Sequence, residues 1–367
     1  MPRRTGTLLA SILLLIALLV AAVLIPVPYA KMSPGPTVNT LGDHGGEPVL
    51  HIKADGKGHR EYPTSGHLNM TTVRVTASDY RMNLAEAVYG WLRHDSAVVP
   101  HETLYPDDKS AQEVDEQNAE EFSASQESAK VAALKALKIP VSSHVIVASV
   151  VKGGPAQGRL HAGDVVRAVD GKAMTEPEQV AKAVTRHKPG QKVTFTVIPA
   201  AKAEAAEKKG KKPDPADAKK VTLTTKKAPD DGRAIVGIQP GTGHTFPFQI
   251  DIRLADVGGP SAGLMFALGI ADKLTETDLT GGQFVAGTGT IDDAGKVGAI
   301  GGIQMKTVAA RAKGAKYFLT PAGNCSTAAK DKPEGLTLVK TRTMSDAMNA
   351  LQKIRTGETA GLPQCSK

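Results

Sequence analysis

An uncharged apolar run from Leu8 to Ile25 opens the chain, and no other stretch restricts its folding as severely. In hydrocarbon every backbone N–H and C=O must be satisfied within the segment, so such a run is read as a helix. At ~1.5 Å per residue it reaches roughly 27 Å, close to the thickness of a bilayer's apolar core. Arg3 and Arg4 precede it, which places the N-terminus in the cytoplasm and everything after Tyr29 outside. A cleaved signal peptide is the competing reading. Its apolar region is usually ~7–15 residues long, with small residues before the cut, whereas a cut after Ala30 would put Pro28 at a small-residue position. The expectation is a retained single-pass anchor in the cell membrane, with residues 1–30 as cytoplasmic tip and transmembrane helix and the later domains on the extracytoplasmic side.

The full 367 residues suffice for two or three domains, and 41% hydrophobic with 22% charged content excludes wholesale disorder and collagen-like sequence. Much of the net charge of +8 comes from lysines between Lys202 and Lys227, interleaved with Ala and Pro. That pattern reads as a solvated loop, so no nucleic-acid partner is expected. The two cysteines, Cys325 and Cys365, would lie in a disulfide-permissive space, where a bridge could tie the C-terminal tail to the body. Two unpaired thiols are the alternative.

Residues 31–127 read as a β-rich scaffold with a helical linker. Its clearest strand is Thr71–Thr76, and Leu84, Val88, Trp91 and Leu92 recur at the spacing of a short amphipathic helix. A second helix carries Phe122, Ala129, Ala133 and Leu137 on one side. From 128 to 228 the order is a strand at Val145–Val151, a turn at Gly153–Ala156, a strand ending in Val169-Asp170-Gly171, a helix at Glu176–Thr185 and two more strands. The run GPAxGxLxxGDVVxxVDG from Gly154 to Gly171 resembles the PDZ domain. That resemblance implies capture of a peptide's C-terminal residues by β-augmentation, with the groove expected between the Val145–Val151 strand and the Glu176–Thr185 helix. Residues 200–219 read as a mobile Lys/Ala-rich hairpin insertion. Residues 229–356 alternate strands and helices, and 357–367 form a tail. The whole is expected to be α+β and multidomain.

Gly259-Pro260-Ser261-Ala262-Gly263 satisfies the GxSxG pattern of a nucleophile elbow. The α/β-hydrolase order needs a histidine after the serine, and all ten histidines lie at or before His244. A serine can instead be activated by a lysine that burial keeps neutral. Lys306 has Ile303, Ala309 and Ala310 on its own helical face, whereas Gln304, Arg311 and Lys313 can reach solvent. Desolvation would draw its pKa down toward ~7–8, the range of a general base near neutral pH. A lysine that merely snorkels over the core is the bland alternative.

Gly259-Pro260-Ser261-Ala262-Gly263, the turn Gly287-Thr288-Gly289 and the stretch Gly301–Lys306 resemble, in order and spacing, the proteolytic domain of the Lon proteases. The likeness covers about 235–354. With the apolar N-terminus and the PDZ-like module, the chain resembles membrane-anchored, PDZ-containing Lon-like proteases of bacteria. The resemblance implies Ser261 as nucleophile, Lys306 as general base and Thr288 as the threonine that hydrogen-bonds the lysine. Gly258 and Thr290 stand where that family usually has acidic residues, so gating by a carboxylate is not expected. No GxxxxGK[ST] motif occurs, so no ATPase engine is expected.

The expected activity is therefore an ATP-independent serine endopeptidase acting on unstructured or misfolded extracytoplasmic or membrane proteins, with the PDZ module binding substrate or regulating access. No cofactor or metal is expected. Backbone amides at Gly259 and Ser261 are the oxyanion-hole candidates, with Ser261 at the first turn of a buried helix. A homo-oligomeric ring is implied by the family alone. A membrane-tethered scaffold with a degenerate protease fold and a non-peptide ester hydrolase are the other readings.

Overall fold

Residues far apart in sequence pair into one sheet that no local pattern announces. The computed structural model describes residues 3–53, 59–93, 95–254 and 257–366; Met1 and Pro2 of the expected cytoplasmic tip and Lys367 of the tail lie outside them. The first half of the chain contains α1 (Arg3–Leu24), β1 (Tyr29–Asn39), β2 (His67–Val75), α2 (Leu84–Leu92), β3 (Ala97–Pro100), α3 (Ala111–Ala136), β4 (Ser142–Val150), β5 (Val165–Val169) and α4 (Pro177–Thr185). The second contains β6 (Lys192–Ile198), β7 (Lys219–Thr224), β8 (Ile238–Thr245), α5 (Gly263–Lys273), β9 (Phe284–Gly287), α6 (Ile303–Ala312), β10 (Tyr317–Pro321), β11 (Thr337–Thr341) and α7 (Met344–Thr356).

Two compact units result, one of residues 1–51, 62–136 and 252–367, the other of 52–61 and 137–251. In the first, the sheet order is β11-β10-β9-β2-β1-β3. The pairs β11·β10, β10·β9 and β9·β2 are parallel, and β1 is antiparallel to both β2 and β3. The stretch 31–127, expected as a separate scaffold, thus supplies half the strands of the sheet that carries β9. Such pairing depends on hydrogen bonds between β2 and a strand more than two hundred residues later, so composition could not reveal it. Every residue of α5 is buried, and α3 covers it with Phe122, whose ring meets that of Phe266 edge-on at 5.9 Å between centroids. An all-round apolar helix needs such cover.

Cys325 and Cys365 are joined by a disulfide, with their Cα atoms 5.0 Å apart. The Lys340 N–H donates to Pro363 O at 2.7 Å and the Cys365 N–H to Leu338 O at 3.1 Å. The tail thereby covers the open edge of β11, where unpaired backbone groups would otherwise invite aggregation. Across the first unit's other end, α1 carries a 19-residue apolar stretch, Gly6–Leu24, none of it buried.

In the second unit a wholly antiparallel sheet runs β7-β6-β5-β4-β8 around a core that includes Val147, Leu160, Val180, Phe195 and Val236. One expectation changes here. The outer edge of β4 is not open: β8 pairs along it from Ile238 opposite Val150 to Thr245 opposite Ser142. Among the described residues, the strand at the end of the sheet beside α4 is therefore β8, which lies beyond residue 228, the expected end of the module. The stretch 200–219 joins the antiparallel strands β6 and β7, as the expected hairpin insertion, and contains a helix at Ala200–Glu207 and a 3-10 turn at Pro215–Asp217.

Candidate active site

Lys306 is held in place by the helix that bears it. Ile303, Ala309 and Ala310 are buried on its face, Arg311 and Lys313 are exposed, and Lys306 itself is 2% exposed. Gly302 precedes the helix with φ +67°, and a Cβ there would come within 2.7 Å of Val73 Cγ1. Glycine thus serves twice, permitting the left-handed turn and letting α6 approach β2 closely. That approach carries the lysine across to Thr71.

The Lys306 Nζ lies 2.7 Å from Ser261 Oγ, 3.1 Å from Thr288 Oγ1 and 3.0 Å from Thr71 O. Thr288 is fully buried, and its hydroxyl donates to Ser261 O at 2.9 Å. The same carbonyl accepts the Gly289 N–H at 2.9 Å, while the Leu264 N–H donates to Gly289 O at 3.0 Å. The Gly287–Gly289 loop is thus laced to the serine segment from both sides. Burial, with no charged neighbour contributing, pulls the Lys306 pKa down from 10.5 to about 7.

The geometry permits a count of hydrogens. A neutral amine has two N–H donors and one lone pair. Thr71 O can only accept, and Thr288 Oγ1 has committed its own hydrogen to Ser261 O, so both amine hydrogens have takers. The lone pair is left for the Ser261 hydroxyl. When charged, the ammonium donates to the same three oxygens, so neither protonation state leaves a buried group unsatisfied.

Ser261 sits in a turn two residues before α5, not in its first turn as the sequence suggested, because the helix begins at Gly263. The Gly259 N–H donates to Asn118 O at 2.9 Å, which removes it from the oxyanion-hole candidates. Among the described residues, the N–H groups of Ser261 and Ala262 find no acceptor. Three further contributors carry no local signal in the residue pattern. Thr71 was legible only as part of a strand, and it acts through its carbonyl. Asn118 and Ser125 lie on α3, whose acidic and polar composition suggested a linker; the Ser125 hydroxyl donates to Pro260 O at 2.9 Å. Among the described residues no group of three or more His, Cys, Asp or Glu could hold a metal ion.

The family model of the Lon protease (S16) C-terminal proteolytic domain matches residues 255–353, and that of the PDZ domain matches residues 121–208. No curated protein gives a significant match. Among solved structures, the chain is similar to the PDZ domain of an SdrC-like protein from Listeria monocytogenes, at 24% identity over 26% of this chain and 86% of that one, with a TM-score of 0.20. The corresponding domain from Listeria innocua shares 24% identity over 28% of this chain and 98% of that one, with a TM-score of 0.21. A solution structure from Geobacillus thermodenitrificans shares 29% identity over 23% of this chain and 82% of that one, with a TM-score of 0.18. The chain therefore carries a PDZ domain and, C-terminal to it, a Lon-type serine protease domain.

Proposed function

We propose that the chain is an ATP-independent serine endopeptidase in which Ser261 is the nucleophile and Lys306 the general base. The observation that carries this reading is the buried Lys306 Nζ set between Thr71 O, Thr288 Oγ1 and, 2.7 Å away, Ser261 Oγ, an arrangement that in the neutral amine leaves the lone pair for the serine hydroxyl. Lys306 accepts the hydroxyl proton as Oγ bonds to the peptide carbonyl carbon. The resulting ammonium then returns that proton to the leaving amine as the C–N bond breaks, leaving an ester on Ser261. Water attacks the ester with its proton passing to Lys306, and as the C–Oγ bond breaks the ammonium returns that proton to Ser261 Oγ, releasing the acid and restoring both serine and neutral amine. The free N–H groups of Ser261 and Ala262, just before α5, are suited to the developing oxyanion.

The absence of a P-loop motif from the sequence supports cleavage without ATP-driven unfolding, and hence substrates that are already unstructured or misfolded. Substrate C-termini are taken up on the edge of β8 beside α4, which raises their effective concentration for the covalently linked protease domain. α1 serves as the membrane anchor, and the Cys325–Cys365 bridge suits an extracytoplasmic site. The test is labelling of the purified protein with a fluorophosphonate across pH. Labelling should rise through about pH 7 and vanish in Ser261→Ala; labelling that persists in that variant, or that ignores pH, refutes the assignment.

A further inference from the structure

Leu84, Val88, Trp91 and Leu92 recur at the spacing of an amphipathic helix, and the apolar face of such a helix ordinarily turns to a core. The structure reverses this. Buried positions in α2 are Ala87 and Gly90, while Val88, Tyr89, Trp91 and Leu92 are 43%, 56%, 52% and 76% exposed. Gly90 allows the inversion, since a Cβ there would come within 2.5 Å of Val98 Cγ2 on β3. With its smallest residues inward and its largest apolar ones outward, α2 would be a liability in water.

The helix is nonetheless firmly built. Asn83 and Glu86 form a reciprocal capping box, with bonds of 2.9 and 3.1 Å. It is also fastened to the foot of α1: the Leu84 N–H donates to Ile25 O at 3.1 Å, and the Val27 N–H to Met82 O at 2.9 Å. At its other end Trp91 packs edge-on against Tyr29, 5.3 Å between ring centroids. The Arg93 guanidinium lies over the Tyr89 ring, 5.7 Å from its centroid. Aromatic rings, a flanking arginine and aliphatic side chains, directly continuous with the end of an apolar helix, are the composition of the water–lipid boundary.

We infer that the outward face of α2 lies in the interfacial layer of the bilayer crossed by α1, so that the protease unit is held against the membrane surface by two contacts rather than by a single stalk. This rests on the reading of α1 as a retained anchor. An orienting surface of this kind would fix the first unit's attitude to the bilayer, which a lone helix followed by a free linker would leave undetermined.

Trp91 is the chain's one tryptophan, so its emission reports this face directly. The full chain is reconstituted into phosphatidylcholine–phosphatidylglycerol vesicles, washed with alkaline carbonate, and tryptophan is excited selectively. The expected result is blue-shifted emission, protected from aqueous iodide and lost when the lipids carry bromine near the ester end of the acyl chain. Such quenching matches side chains ~5–10 Å into the headgroup boundary. Carbonate-resistant protein whose Trp91 is quenched by iodide but not by bromolipid overturns the inference while leaving the anchor intact. Blue-shifted emission that bromolipid leaves unchanged overturns it in favour of a second protein copy on this face. Release by carbonate overturns the anchor and the inference together.

Discussion

The Nζ of Lys306 and the Oγ of Ser261 stand 2.7 Å apart although 45 residues separate them in sequence. No carboxylate takes part in that contact, and burial alone lowers the lysine pKa. The proposed base is therefore prepared by the absence of water, and the pairing should be sensitive to whatever packs over α6 and β2.

The first consequence concerns pH. With a folded pKa of about 7 against 10.5 for the free side chain, activity should climb through about pH 7 and level off above it. Stability follows the same group with its own sign. Between about 7 and 10.5 the unfolded chain binds a proton that the native state lacks, so stability contributed by Lys306 rises with pH across that window and is lost as pH falls through it. The full difference corresponds to roughly 5 kcal/mol. In Lys306→Met, activity should vanish, and the melting temperature should exceed that of the wild type by more at pH 6 than at pH 9. A constant difference across pH would show that the lysine is charged in both states.

Thr288 links the two partners by accepting from Lys306 and donating to Ser261 O. Thr288→Val removes the acceptor, which disfavours the ammonium and shifts the activity profile to lower pH. It also frees the Ser261 carbonyl, lowering kcat by roughly 10–100-fold through loss of orientation. Thr288→Ser should restore both. A pH profile that does not move in Thr288→Val would leave the threonine a packing role only.

On the proposed mechanism, α3 positions the nucleophile from outside the segment that carries it. Ser125→Ala deletes the bond to Pro260 O at 2.9 Å, a loss of about 1 kcal/mol in stability. The expected signature is a fall in kcat of roughly tenfold or more with KM little changed, since misplacement of the attacking atom affects chemistry before binding. Equal changes in kcat and KM for a short peptide substrate would argue against positioning.

Much of this arrangement was readable from the residues because it is local. The apolar stripe around Lys306, the glycines before Ser261 and α6, and the strand and helix order from Gln283 onward each follow from nearest neighbours. The contributions of Thr71, Asn118 and Ser125 were not, because they act through backbone carbonyls or one hydroxyl brought in by pairings between distant segments. The edge strand of the second unit was missed for the same reason: β8, with Pro240 and two glycines, has weak strand character and is held by its pairing to β4. α2 was legible as a helix, but helical periodicity reveals an apolar face without saying what covers it.

The Cys325–Cys365 bridge closes a loop of 40 residues and fastens the tail over β11. Cys365→Ser should lower stability by roughly 3–4 kcal/mol on loop-entropy grounds. The loss should be measurable as a lower urea midpoint that reductant no longer affects. Labelling of Ser261 at low temperature should persist, because the bridge lies outside the Lys306 hydrogen-bond set.

The free edge of β8 makes the last prediction. Gly237, with φ +75°, turns the chain immediately before this strand, and Val236 O and Gly237 O are both occupied by N–H groups of Ala156 and Val151 at 2.9 Å. With its carbonyls directed inward to those bonds, the turn can offer N–H groups to an incoming carboxylate, and the strand can continue the ladder alongside the peptide backbone. In the Ser261→Ala chain, which cannot consume its ligand, a peptide ending in a free carboxylate should bind at least about tenfold more tightly than its C-terminal amide, because a charge-assisted bond is lost. Isothermal titration decides the point: equal affinities would mean that β8 receives internal segments and that selection of chain ends is not its task.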